Sequence, residues 1–182
     1  ESLRREYQNT ESNASIIPWL LIGQFMVIAV SFLVLIMFLL SFRREILVNY
    51  QKLSFIVLVV VLMVSIMSVV TRFNIGNVYM VPFVALPIII QAFYDGRLAF
   101  FIHMVTITLC GLLAPNGFEF ILLQFIAGAI SMFSLSKVDK RGKLFTAVLL
   151  IIMAYTITYT SLALLQEGSF KQINYYTYLW FA

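Results

Sequence analysis

The 182-residue chain holds one cysteine, one histidine and four prolines, and only 11% of its residues are charged. Each scarcity closes a class. A lone cysteine, Cys110, makes no internal disulfide and no cysteine-based metal cluster. A lone histidine, His103, leaves out the paired His and Asp of a metallohydrolase, and there is neither a Gly-rich phosphate loop nor a nucleophile elbow. No active site and no cofactor are therefore expected within these residues. With 62% hydrophobic residues and a mean hydropathy of +0.99, there is too little polar material to surface a large water-facing domain.

What the chain does have is long apolar runs. Six are complete: Ile16–Phe42, Leu53–Thr71, Val78–Tyr94, Leu98–Ala114, Phe118–Ser136 and Leu144–Leu165; a seventh begins near Asn174 and stops with the chain at Ala182. A helix rising about 1.5 Å per residue needs roughly 20 apolar residues to cross a bilayer core, and the runs meet this with modest shortfalls. The expected fold is all-α: a polytopic transmembrane bundle of six complete helices plus the start of a seventh. Residues 1–15 form an external juxtamembrane segment and residues 16–182 the bundle. The first run lacks a small-x-small cleavage pattern and exceeds a signal-peptide core, so it is read as a retained helix. Both ends are expected to be cuts through a longer polypeptide.

Loops rich in Lys and Arg stay cytoplasmic. Arg43, Arg44, Lys52, Arg97, Lys137, Lys140, Arg141 and Lys143 fall on one side of the membrane, against Arg4, Arg5, Arg72 and Lys171 on the other. That imbalance places the N-terminus outside, and a completed seventh helix would deliver the C-terminus to the cytoplasm of a bacterial inner membrane. The lipid bilayer is the expected partner of the net charge of +4; nucleic acid is not, because no basic stripe is interleaved with exposed aromatics. Short loops make sequential helices antiparallel neighbours. Pro82 and Pro87 each remove a backbone donor from the third run, which is expected to be kinked or partly unwound, interior, and the hinge of the bundle. Ala127, Gly128, Ala129 and Ser131 would admit close approach of another helix, within the bundle or in a homodimer.

Polar residues inside lipid are costly and usually serve something. They sort into two layers. Gln24, Arg72, Asn74, Asn116, Glu119, Tyr159 and Gln166 lie near the outer ends of their runs. Glu119 follows the Pro115-Asn116-Gly117 turn, where a carboxylate gains from the unpaired amides of a helix N-terminus with Asn116 placed to cap. It could alternatively face Arg72 across an outward cavity and hold a polar ligand. At the inner layer, Asp95-Gly96-Arg97 joins the third and fourth runs, with His103 roughly 9 Å deeper at about 1.5 Å per residue. Asp95 and Arg97 suit a tight turn that grips headgroups. His103, with no second histidine for a metal site, is expected to hydrogen-bond a neighbouring helix.

Three segments together carry a family likeness: VPFVALPIII, then YDGRLAFFIHMVTITLCGLLAPNGFEF, then LLQFIAGAISMFSL, supported by the Gln166-Glu167-Gly168 triplet. The stretch resembles the membrane domain of bacterial seven-transmembrane HD-hydrolase receptors, and is most similar to Bacteroidetes members. The resemblance implies an external sensor domain, seven helices, and a cytoplasmic HD phosphohydrolase that in PgpH-like relatives hydrolyses cyclic di-AMP. The HD motif has no counterpart in this chain. Divalent metals are thus expected only in the missing HD domain, and the role implied here is signal transduction, coupling an external or intramembrane signal to the phosphodiesterase. The competing reading is a small-molecule-binding membrane component resembling the substrate-binding subunit of a vitamin transporter.

Overall fold

A computed structural model describes residues 2–74, 77–135 and 142–167. Lys137, Lys140, Arg141, Lys171 and the seventh run from Asn174 lie outside the described residues.

The described elements are helical. Helix α1 spans Ser2–Phe42, α2 Arg44–Val48 and α3 Tyr50–Phe73; a 3-10 turn at Val78–Met80 precedes α4, Ala85–Phe93; then come α5, Gly96–Gly111, α6, Gly117–Leu135, and α7, Gly142–Glu167. Helix α1 begins well before the apolar run, because residues 2–17 contain neither glycine nor proline to stop it, and Pro18 lies within it. At about 1.5 Å per residue its 41 residues extend about 61 Å, of which the 25-residue apolar part, Pro18–Phe42, is enough to cross a bilayer. The residues that precede the apolar run continue the first membrane helix.

Local chemistry sets the boundaries. The Asn49 side chain accepts hydrogen bonds from the backbone of Gln51 and Lys52, at 3.1 and 3.4 Å, and so starts α3. Helix α3 stops where Asn74 turns left-handed, φ 51°, and its N–H bonds the Val70 carbonyl.

The third run is not one helix. Pro82 has no N–H and disfavours helical geometry in the residue before it, and Val81 is accordingly extended at φ −73°, ψ 120°. The chain resumes as the nine-residue α4, with Pro87 in its first turn, where a missing N–H costs nothing. Non-helical backbone at membrane depth must be enclosed by protein. Val81, Phe83 and Val84 are buried, while Pro82, which has no N–H to satisfy, is exposed.

Helix α5 is the centre, packed against α1, α3, α4 and α6; α6 in turn packs against α4 and α7. Met67, Phe83, Leu86, Ile90, Leu98, Ile102 and Phe120 are sealed where these elements meet. Helices α1 and α3 instead keep most of their apolar side chains exposed, among them Phe25, Leu33, Leu58 and Val61. For an aqueous protein that surface would be untenable; lipid is its natural solvent. Four helices, Pro18–Phe42, Tyr50–Phe73, Gly117–Leu135 and Phe145–Gln166, are long and apolar enough to span a membrane, and α5 is a shorter apolar helix.

Candidate functional site

The polar residues occupy three levels along α4, α5 and α6. At the first, Glu119 stands in the opening turn of α6, and its side chain is buried. Tyr79, from the 3-10 turn, donates its hydroxyl to Glu119 Oε1 at 2.7 Å, and Asn116 Nδ2 donates to Oε2 at 3.4 Å. Asn77 holds Tyr79 in place by accepting its backbone N–H at 3.2 Å. A carboxylate here is stabilised by two donors and by the positive end of α6. The phenol–carboxylate contact therefore fastens the start of the broken third run to the first turn of α6. Tyr79 and Tyr159 pack together onto Val84, Leu123 and Leu162, which brings α7 to the same place.

At the second level, Gln124 binds both neighbours of α6. His103 Nε2 on α5 lies 3.0 Å from the Gln124 carbonyl oxygen, which can only accept, so the imidazole donates from Nε2. The Gln124 side-chain Oε1 accepts from Tyr155 of α7 at 2.5 Å. The ring can lie this close only because residue 128 is glycine: a Cβ there would overlap His103 Nε2. Ser131 returns its hydroxyl to the Gly128 carbonyl at 2.7 Å. His103 Nδ1 and Gln124 Nε2 are buried with no hydrogen-bond partner among the described residues.

At the third level, the turn after α4 is anchored by charge. Asp95 Oδ2 meets Arg43 Nη2 at 3.1 Å, and Arg43 also reaches Glu45 Oε1 at 3.2 Å. The hydrogen bond and opposite charge of Asp95 hold the Arg43 guanidinium above its ordinary pKa. Tyr94 donates to the Lys52 carbonyl at 3.3 Å, adding a link to α3. Asp95 thus ties α4 to α1 instead of capping α5, whose N-terminus has no side-chain cap.

A family model described as "7TM receptor with intracellular HD hydrolase" matches residues 18–182. The chain belongs to this family. No curated protein and no solved structure matches it. Membership makes this a membrane domain of a receptor linked to an intracellular HD hydrolase, and the apolar helices supply the bilayer context.

Within this receptor domain the residues named from sequence do not form one site. Glu119 and Asn116 join Tyr79, and Tyr159 lies beside them. Gln24 stands apart in a crevice between α1 and α3, near Ser65. Arg72, Asn74 and Gln166 are exposed at helix ends. An ion pair between Arg72 and Glu119 is absent among the described residues; Tyr79 and Asn116 hold the carboxylate, while Arg72, in the last turn of α3, complements the negative end of that helix. His103 is separated from the Asp95 turn, buried two turns along α5 against Gly128. The small-residue face of α6 is covered inside the bundle, Ala127 by the Tyr155 cluster and Gly128 by His103, and so is not free for a second copy. Tyr79 and the Arg43–Asp95 pairing had no signal in the one-dimensional pattern, since both partners come from distant runs.

Proposed function

We propose that this bundle relays an external or intramembrane signal to an intracellular HD hydrolase acting on cyclic di-AMP. Its N-terminus lies outside a bacterial inner membrane, where α1 continues toward a sensor domain, and its far end passes to the cytoplasmic enzyme. Divalent metals belong to that enzyme.

The observation that carries the relay is the pair of anchors flanking α4. Tyr79–Glu119 fastens the chain just before the unwound segment, and Arg43–Asp95 fastens it just after the helix. Nine helical residues joined to four non-helical ones make a short strut whose two ends are held by polar contacts. A signal that favours the broken state of the first contact moves α4, and with it the Asp95 turn against α1. Such a signal shifts the equilibrium only by its differential affinity for the two arrangements. The transporter-component alternative needs one outer pocket; the outer polar residues are divided among three places, which favours the receptor reading.

In the full-length protein, Tyr79→Phe, which removes the phenol donor, and Glu119→Gln, which leaves only a neutral acceptor, should change the hydrolysis of cyclic di-AMP in the same direction, the first by more. Loss of one neutral-to-charged hydrogen bond, about 1.5–3 kcal/mol, permits a shift of roughly tenfold or more in a two-state equilibrium. Wild-type rates from both variants, at wild-type expression, would remove the strut from the relay.

A further inference from the structure

A cleft of about 670 Å³ opens at the end of the bundle that carries Asp95 and Arg97. Its walls come from the last turns of α1 and α6, the end of α4 and the first turns of α5, and they are mostly aromatic: Phe38, Phe100, Phe101 and Phe133. The aromatic wall is ordered before anything enters it, since Phe38 stacks on Phe101 with ring centroids 4.0 Å apart and Phe100 meets Phe101 edge to face. This volume lies within the range of about 300–1,000 Å³ found for ligand pockets.

The polar groups are confined to one end of the cleft. Asp95 is paired with Arg43, which it shares with Glu45, whereas Arg97, two residues on and exposed, has no acidic partner among the described residues. Arg97 is the cationic side chain that the cleft wall leaves for an incoming anion. Gln91 adds a buried Oε1 with no hydrogen-bond partner, its Nε2 being turned to the Met132 carbonyl at 3.4 Å. An apolar trough ending in one unpaired cation at a membrane helix end matches an amphiphile with a long hydrocarbon chain and an anionic head.

We propose that this cleft binds an anionic phospholipid, with an acyl chain against Phe100, Phe101 and Phe133 and the phosphate at Arg97. A bound lipid would bridge α1, α4, α5 and α6 beside the Arg43–Asp95 pair. The assignment holds whichever side of the membrane this end faces.

The test is photolabelling of the full-length protein in nanodiscs doped with phosphatidylglycerol or phosphatidylcholine, at equal mole fraction, each bearing a diazirine on its acyl chain. Labelled peptides are mapped by mass spectrometry. Phosphatidylglycerol should label the Phe100–Phe101 and Met132–Phe133 segments about fivefold more than phosphatidylcholine, as one basic residue near a membrane surface contributes about 1 kcal/mol. Ile157, exposed on α7 away from the cleft, should be labelled equally by both and reports ordinary lipid contact. Arg97→Gln should bring the two lipids level in the cleft, and Arg97→Lys should keep the excess. Equal labelling in the unaltered protein, or an excess that survives Arg97→Gln, would overturn the site.

Discussion

Gly128 shows how one missing side chain fixes the interface between two central helices. A methyl at this position would overlap the His103 ring, which is itself held by the Gln124 carbonyl one turn earlier on α6. Gly128→Ala must therefore either push α5 from α6 or break that hydrogen bond. Overpacking of this kind costs about 1–3 kcal/mol. Thermal unfolding in detergent should show a lowered midpoint for Gly128→Ala, partly restored when His103→Ala is added; a wild-type midpoint for the single variant would contradict the close approach. The face carrying Gln124, Gly128 and Ser131 could be read from spacing on one helix. Its partners could not, because spacing along a helix says nothing about which ring from α5 or α7 fills the notch. Glu119 repeats the lesson: its place in a first turn was legible, but the phenol of Tyr79, forty positions earlier, was not.

At the scale of elements, the third run is where local sequence rules and membrane length rules collide. A largely apolar run of seventeen residues suggests a span, yet Pro82 prevents continuous helix there, and the chain divides into a 3-10 turn, a non-helical link and α4. The two prolines are not equivalent. Pro87 sits in a first turn, so Pro87→Ala should leave stability within about 1 kcal/mol and α4 unchanged. Pro82→Ala restores a donor and relieves Val81, so residues 81–84 should gain amide-exchange protection as α4 grows backward. Hydrogen exchange read by mass spectrometry separates the two, and equal protection in both variants would argue against Pro82 as the cause of the break. The continuity of α1 was harder to see, because polar residues before the apolar run look like a separate segment when hydropathy alone is followed. Helix propensity without a breaker carries α1 from Ser2 through Phe42.

For the molecule as a whole, burial is deepest where α4, α5 and α6 meet, while α1 and α3 rest against α5 with most of their surface turned outward. The all-helical membrane class follows from the apolar runs, and their rough positions survive in α1, α3, α5, α6 and α7. Packing order does not follow from the runs, since short connections say which helices are near in sequence but not that α5 reaches both α1 and α3. Arg43 and Asp95 close the α1–α4 corner across that order. Exchange of their charges gives a direct check on coupling: Arg43→Glu and Asp95→Arg should each disturb the intracellular hydrolase activity of the full-length receptor, and the double exchange should recover it. Failure to recover, with both single variants folded, would show that the corner acts through something other than this pair.

The relay requires the Tyr79–Glu119 end and the Asp95–Arg97 end to face opposite sides of the membrane, the former outside. Single cysteines at Asn116 and at Arg97, in a Cys110→Ala background, can be challenged with a membrane-impermeant maleimide on intact cells. Labelling of Asn116→Cys in intact cells, with Arg97→Cys labelled only after permeabilisation, is the predicted result. Arg97→Cys labelled from outside, or both sites labelled from the same side, would contradict the account.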